Sequence, residues 1–370
     1  MGEAQLTVWC LLGKKAGDNT QVRALAAELG LNSVEKLITA RPWELLSHLG
    51  AGMTLAGIDQ RKSSDLQAPW PDIVISAGRR NEPVAQWIRQ QSAGLTRLIH
   101  IGRPWTQLAS WDLIITTPQY FLPQQDNILH NSMPLHRISQ EDLKSAGSDL
   151  LPQLASLPRP WVAMLVGGNS GRFVVTPDKA RRLGLLATNL ASAAGGSVLC
   201  VESARTPRVA GDALRAQLTA PNLYYRWGSE DDNPYRGLLA LADAFVVTGE
   251  SMSMLGEALD TGRALYIFDV GDGAAHWWTL PHNYRYKPLS HRLAMRFGPI
   301  RMRRDIGNMQ NSLVDGGAAQ WLDPSMIDAA ADTLRVSVAK PFAIFKASGS
   351  VAHNELERTA QAVRQLLTIR

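Results

Sequence analysis

Short β-branched runs, each ending in Gly, Ser, Thr or Asn and followed by a stretch of helical periodicity, recur along the chain. That alternation is the signature of βα units, because parallel strands need a crossover between them and a helix usually supplies it. In the first half strands are predicted over Gln5–Leu12, Ser33–Leu37, Asp72–Ser76, Arg97–Ile101 and Asp112–Thr116, with helices over Gln21–Leu29, Pro42–Leu49 and Pro83–Gln91. In the second half strands are predicted over Trp161–Val166, Ser197–Glu202, Asn222–Arg226, Asp243–Thr248 and Ala264–Asp269, separated by helices over Pro177–Ala194, Gly211–Ala220, Tyr235–Leu241 and Met252–Asp260. Between them, Leu151–Pro160 carries three prolines and little periodicity, so it reads as a linker. A chain of 370 residues exceeds what one core usually organises, which gives two α/β domains, 1–155 and 158–345. A last helix within 350–370 puts Leu356, Ala360, Val363 and Leu367 on one stripe, which is expected to pack back on the first domain.

The composition, 45% hydrophobic and 19% charged with no low-complexity tract, excludes a disordered or fibrous chain. Apolar runs such as Val162–Val166 are far shorter than the roughly 20 residues that cross a bilayer, and the N-terminus has no signal-peptide pattern. The expected location is the cytoplasm, at the inner face of the membrane. A net charge of +5 favours anionic partners: nucleotide phosphates, nucleic acid or an anionic membrane face. Basic residues gather at Arg79–Arg80, at Arg181–Arg182 and from Arg285 to Arg304, where Arg301, Arg303 and Arg304 are interleaved with Ile300 and Met302. That last run fits a solvated face as well as a phosphate or membrane patch. Cys10 and Cys200 each lie in an apolar strand and are expected to be buried free thiols. His100, His276, His282 and His353 show no ligand spacing, so no metal site is expected. No nucleic-acid-binding module is recognisable, and nucleic acid is set aside as a partner.

The stretch Ala244-Phe-Val-Val-Thr-Gly-Glu-Ser-Met-Ser-Met-Leu-Gly-Glu-Ala258 sets a buried strand against a polar turn, Gly249, Glu250, Ser251, Met252 and Ser253, and then a helix. Unpaired N–H groups and the positive end of the helix dipole make such a turn a site for a diphosphate. Glu257, one turn further, is placed to accept hydrogen bonds from ribose hydroxyls. The same residues also suit plain capping by a serine and a solvated glutamate. The Gly167-Gly-Asn-Ser-Gly171 turn brings Gly168, Asn169 and Ser170 to another strand end, and Ser203-Ala-Arg-Thr206 brings Ser203, Arg205 and Thr206, where Arg205 would neutralise a leaving diphosphate.

In the first half Gly13-Lys-Lys-Ala-Gly-Asp-Asn-Thr-Gln21 follows a strand and offers Lys15, Asp18, Asn19 and Gln21. Asp18 is the candidate general base, taking the proton of an acceptor hydroxyl, and helix capping is the competing role for Asp18 or Asn19. Later strand ends add Arg79, Arg103 and Gln119, the last within Pro118-Gln-Tyr120.

Taken in order, Gly13-Lys-Lys-Ala-Gly-Asp-Asn, Ser76-Ala-Gly-Arg-Arg, Gly102-Arg-Pro, Thr117-Pro-Gln-Tyr, Gly167-Gly-Asn-Ser-Gly, Asn233-Pro-Tyr and Thr248-Gly-Glu-Ser-Met-Ser-Met resemble the "elongated mitochondria" family over residues 6 to 270. Its plant members take their name from a mitochondrial fission phenotype, and its bacterial members are classed as sugar transferases of envelope glycan or lipopolysaccharide assembly. The second-half segment is more distantly similar to the donor half of the peptidoglycan N-acetylglucosaminyltransferase, and Gly13–Asp18 to the Gly-rich turn of lipid A disaccharide synthase. The resemblance implies a GT-B-like α/β fold, two Rossmann-like domains with parallel sheets facing a central cleft, and a nucleotide sugar held by Ser251, Ser253 and Glu257. Glu250 stands where the family pattern has Asp, and Ala204 where a second Arg is frequent. The implied activity is a metal-independent glycosyltransferase with no cofactor beyond its nucleotide-sugar donor, acting on a glycan or glycolipid acceptor. A nucleotide-sugar epimerase of the same fold and a non-catalytic adaptor are the rival readings.

Overall fold

The computed structural model describes residues 6–43, 53–171, 173–271, 288–300, 303–338 and 351–368. Most of the helix predicted over 42–49, and His276, His282 and Arg301, lie outside the described residues. The chain forms two compact units: unit 1 comprises Met1–Arg137, Pro299–Asp305 and Val351–Arg370, and unit 2 comprises Ile138–Gly298 and Ile306–Ser350.

Unit 1 is built on six parallel strands, β1 (Thr7–Leu12), β2 (Asn32–Leu37), β3 (Ile73–Ala77), β4 (Arg97–Ile101), β5 (Leu113–Thr116) and β6 (Ile128–His130), in the order β2-β1-β3-β4-β5-β6. Strand pleating sorts its core into two faces. Val8, Cys10 and Leu12 pack with helix α1 (Ala16–Leu29), whereas Trp9 and Leu11 pack toward helix α2 (Glu82–Gln91). Both faces of β3 are buried, as a parallel sheet covered by helices requires. Only the edge strand β2 is largely exposed, and it carries Glu35 and Lys36, charges that discourage further strand pairing.

Unit 2 contains helices α3 (Gln140–Leu154), α4 (Pro177–Ala194), α5 (Arg208–Arg215), α6 (Tyr235–Leu241), α7 (Met252–Asp260), α8 (Pro288–Phe297), α9 (Gly307–Asp315) and α10 (Ile327–Val338). They surround strands β7 (Trp161–Val166), β8 (Ser197–Glu202), β9 (Asn222–Tyr225), β10 (Ala244–Thr248), β11 (Ala264–Phe268) and β12 (Gln320–Trp321). The strand order β12-β11-β10-β7-β8-β9 is the doubly wound Rossmann order, with its reversal between β7 and β10. Unit 1 reverses between β1 and β3. In open sheets of this kind ligands bind beyond the strand carboxyl ends at the reversal.

The boundary differs from the predicted linker. Residues 138–155 belong to unit 2, because α3 continues through Pro152 and packs on α6 at two glycines. A Cβ at Gly237 would lie 2.8 Å from the Ala146 carbonyl, and one at Gly147 3.2 Å from the Ala240 Cβ, so larger side chains would separate the helices. Arg236 and Asp142 pair across the same contact at 2.7 Å. Residues 299–305 return to unit 1, inside the span assigned from sequence to the second domain.

The final helix, α11 (Val351–Thr368), packs in unit 1 with Leu356, Ala360 and Val363 buried among Leu25, Leu29 and the α1 face of the sheet. Polar contacts fix its register: Glu355 accepts from the Ser132 N–H at 2.6 Å, and Arg364 donates to the Glu28 carbonyl at 2.7 Å. No helix among the described residues is long and apolar enough to cross a membrane. Cys10 and Cys200 are buried and unpaired, and burial pushes the Cys10 thiol up to about 12.

Candidate functional site

In unit 1 the carboxyl ends of the strands surround a cavity of ≈ 280 Å³, close to the lower end of the roughly 300–1,000 Å³ usual for ligand pockets. Its wall includes Lys15, Asp18, Gln21, Arg79, Arg103 and Gln119, six of the residues picked from sequence. Asn19 is not in that wall. Its amide clamps the turn after β1, accepting from the Gly13 N–H at 2.9 Å and donating to the Gly13 carbonyl at 2.8 Å. Asn19 therefore shapes the turn. No side chain caps α1, which begins at Ala16 and leaves its first-turn N–H groups uncapped at the carboxyl end of β1. Asp18 lies in that first turn, against Gly78. A Cβ added there would come within 2.7 Å of Asp18 Oδ2, and with φ at +70° the position suits glycine on both counts.

Five cationic side chains, Lys15, Arg79, Arg103, Arg303 and Arg304, line this cavity with one carboxylate, Asp18. Lys15 Nζ lies 3.9 Å from Asp18 Oδ2. Asp18 draws the Lys15 pKa up, while surrounding protein and the like charges of Arg304, Arg79 and Arg80 press it down, and the net direction is down. The Lys15 side chain is 68% exposed, so water screens this effect.

Three of the cations are anchored, and the anchor of Arg79, Trp105, was not picked from sequence. Arg79 stacks on Trp105, 4.4 Å from the ring centroid. The Trp105 and Thr106 backbone N–H groups and the Thr106 hydroxyl all donate to buried Glu82 at 2.9 to 3.0 Å. Burial pushes the Glu82 carboxyl up to about 7 against those hydrogen bonds and the charge of Arg79. Arg304 Nε donates to Gln119 Oε1 at 2.6 Å, and Arg103 Nη1 donates to the carbonyls of Ile300 and Arg303. Arg303 and Arg304, the end of the basic run, thus stand in the unit 1 cavity wall.

In unit 2 the reversal point is tightly self-bonded. Gly168, at φ +144°, passes so close to Arg205 that a Cβ would sit 2.1 Å from its carbonyl oxygen. The Gly168 N–H donates to Glu250 Oε1 at 2.5 Å, and the Gly167 N–H to Thr248 Oγ1 at 2.8 Å. Glu250 is wholly buried and 3.8 Å from Arg205 Nη2. Burial raises its pKa, with Arg205 and the Gly168 N–H pulling the other way.

The remaining residues picked there divide into turn-builders and candidate ligand contacts. Asn169 accepts from the Val175 N–H at 2.8 Å, Ser170 bridges to Phe173, and the Ser203 and Thr206 hydroxyls donate to the Gly167 carbonyl. The Asn169, Ser203 and Thr206 side chains are thus engaged within the turn, Ser170 bridges through its backbone, and Met252 is buried. Gly249 is held between the Phe268 carbonyl and the Gln310 amide. Ser251 makes no capping bond; its Oγ lies 3.3 Å from Arg205 Nη2. Ser253 is exposed in the first turn of α7. Glu257 is half-buried and accepts from the hydroxyl of Tyr235, another residue not picked, although it lies in the quoted Asn233-Pro-Tyr.

The family profile "Mitochondrial fission ELM1" matches residues 16–283, more than half of the chain. The Arabidopsis thaliana protein named "Mitochondrial fission protein ELM1" is 28% identical over 268 residues, 65% of this chain and 62% of that protein, so the match spans less than two thirds of the plant relative. Among solved structures, UDP-GlcNAc 2-epimerase from Methanocaldococcus jannaschii aligns with a TM-score of 0.52 and 10% identity, covering 97% of this chain and 100% of that one. The S. aureus MnaA–UDP co-structure aligns with a TM-score of 0.50 and 9% identity, covering 99% and 98%. These likenesses concern the fold. With its two doubly wound parallel sheets and its family match together, the chain is a member of the mitochondrial fission ELM1 family on a GT-B-like α/β fold.

Proposed function

We propose that the chain is a glycosyltransferase that binds a nucleotide sugar in unit 2 and an acceptor in the unit 1 cavity. The observation that carries the reading is the pair Arg205 and Ser251 at the start of α7. Ser251 is not engaged as a cap, and Arg205 sits beside it, so a serine hydroxyl, a guanidinium and a helix N-terminus converge at the reversal of a Rossmann sheet. A diphosphate leaving group is stabilised by those groups as the bond from its oxygen to the anomeric carbon breaks. Glu257, oriented by Tyr235, meets the ribose hydroxyls, and Asp18 takes the proton of the acceptor hydroxyl as its oxygen bonds to that carbon. The donor is a nucleotide sugar, and the acceptor a glycan or glycolipid at the cytoplasmic face of a membrane. The proposed assignment follows the observed units, with the donor on 138–298 and 306–350.

The test is a thermal-shift series with UDP, GDP, CMP, ADP and dTDP sugars, because a ligand that binds only the folded chain raises its melting temperature. One nucleotide should give a clear shift that is lost in Glu257→Ala and kept in Asp18→Asn, while Asp18→Asn abolishes transfer. Absence of a shift with all five would favour a scaffold that serves as an adaptor. Conversion of the donor without an acceptor would instead favour epimerase chemistry.

A further inference from the structure

The unit 1 cavity is lined by five cations and one carboxylate. Arg103 is 7% exposed, and its Nη2 is buried with no hydrogen-bond partner among the described residues. Leaving a guanidinium nitrogen unpaired and buried is costly, more so than for a neutral donor. The group is nonetheless fixed, since Nη1 is tied to two backbone carbonyls of the returning segment. Around it stand Arg79 on its Trp105 platform, Lys15, and Arg304 anchored through Nε to Gln119. The uncapped start of α1 adds backbone N–H donors and the positive end of a 14-residue helix. A planar, half-anchored guanidinium with further cations around it matches a group that accepts from several directions and carries more than one negative charge.

We propose that this cavity receives a phosphoryl group of the acceptor, with Arg103 Nη2 as its buried donor and Arg79, Lys15 and Arg304 as its charged wall. The inference rests on the transferase reading for the word acceptor, although phosphate binding is tested without it. Asp18, the one carboxylate in the wall, meets the hydroxyl to be glycosylated on the same molecule. Such a phosphoryl group has two sources, a soluble sugar phosphate or a lipid headgroup.

The experiment is hydrogen–deuterium exchange of the full chain with glycerol 3-phosphate, and separately with phosphatidylcholine vesicles containing or lacking phosphatidic acid. Protection over residues 76–80, 101–105 and 117–120 is expected from the phosphate probe. Arg103→Gln and Arg79→Ala should each weaken that binding at least tenfold. Arg79 stacks on Trp105 at a different part of the wall, so its variant gives a second test if loss of Arg103 loosens the 299–305 segment. Protection by phosphatidic acid vesicles assigns the lipid source, and protection by glycerol 3-phosphate alone assigns the soluble one. No protection of the wild-type chain from either probe, or undiminished wild-type protection in both variants, overturns the proposal. The transferase reading fails separately, if nucleotide sugars leave the exchange of residues 166–171 and 249–254 in unit 2 unchanged.

Discussion

Replacing Glu82 with Gln should change how the stability of unit 1 depends on pH, and the structure sets both sign and size. Burial pushes the carboxyl up to about 7 from an ordinary value of 4.5, so the folded state favours the protonated form. The stabilisation from that proton is complete below the unfolded pKa and is lost as pH rises through the folded one, because between the two values the native state binds more protons than the unfolded chain. At about 1.4 kcal/mol per pKa unit the whole effect is about 3 kcal/mol, and some 2 to 3 kcal/mol of it falls between pH 5 and pH 8. Gln at this position keeps an acceptor for the Trp105 and Thr106 donors but does not titrate. Native-state hydrogen exchange of β3 and β4, corrected for the intrinsic pH dependence of exchange, isolates unit 1 from unit 2. Wild-type protection should fall between tenfold and a hundredfold more steeply from pH 5 to pH 8 than that of Glu82→Gln. Parallel pH profiles for the two proteins would refute the reasoning, and would mean that the three donors from Trp105 and Thr106 keep the buried carboxyl ionised.

Arg205→Ala should weaken nucleotide-diphosphate binding roughly tenfold to a hundredfold, the range of a charge-assisted hydrogen bond, as measured by titration calorimetry; unchanged affinity would remove Arg205 from the donor site. Gly168→Ala should destabilise unit 2 by several kcal/mol on the order expected for a backbone clash at a glycine-only conformation, because its methyl carbon would lie 2.1 Å from the Arg205 carbonyl oxygen; a thermal melt within a degree of wild type would contradict it. Gly237→Leu should expose the segment from 138 to 157 to limited proteolysis while leaving unit 1 resistant, since α3 packs on α6 at that glycine.

Most strands that sequence reasoning located are buried on both faces, where parallel pairing leaves continuous apolar runs such as Trp161–Val166 and Ala244–Thr248, while the exposed β2 was located by its β-branched residue and its flanking turns. β6 and β12, three and two residues long, are too short to produce a pattern. Pro152 was read as a break, yet it occupies the last turn of α3, where only one backbone bond is forfeited. Arg303 and Arg304 were visible as a basic run but not as cavity wall, because nothing local records that residues 299–305 return to unit 1. The link from Glu82 to Trp105 joins residues brought together only when β3 and β4 pair.

The two reversal points show why a strand-end carboxylate is ambiguous in sequence. Each unit places a carboxylate where a glycine has left room: Asp18 against Gly78 in unit 1, and Glu250 against Gly167 in unit 2. What separates them is water. The Asp18 side chain is 33% exposed and lines a cavity, whereas that of Glu250 is fully buried and bonded to the Gly168 N–H. A carboxylate must reach its proton donor to act as a base, so Asp18 is suited to that role, while Glu250 orders the glycine turn and holds Arg205. Asp18→Asn should therefore abolish transfer with little effect on melting temperature, and Glu250→Ala should lower the melting temperature of unit 2 by leaving the Gly168 N–H and Arg205 without their partner. If Asp18→Asn unfolds unit 1 as readily as Glu250→Ala unfolds unit 2, solvent access does not distinguish the two carboxylates, and Asp18 is a turn-builder as well.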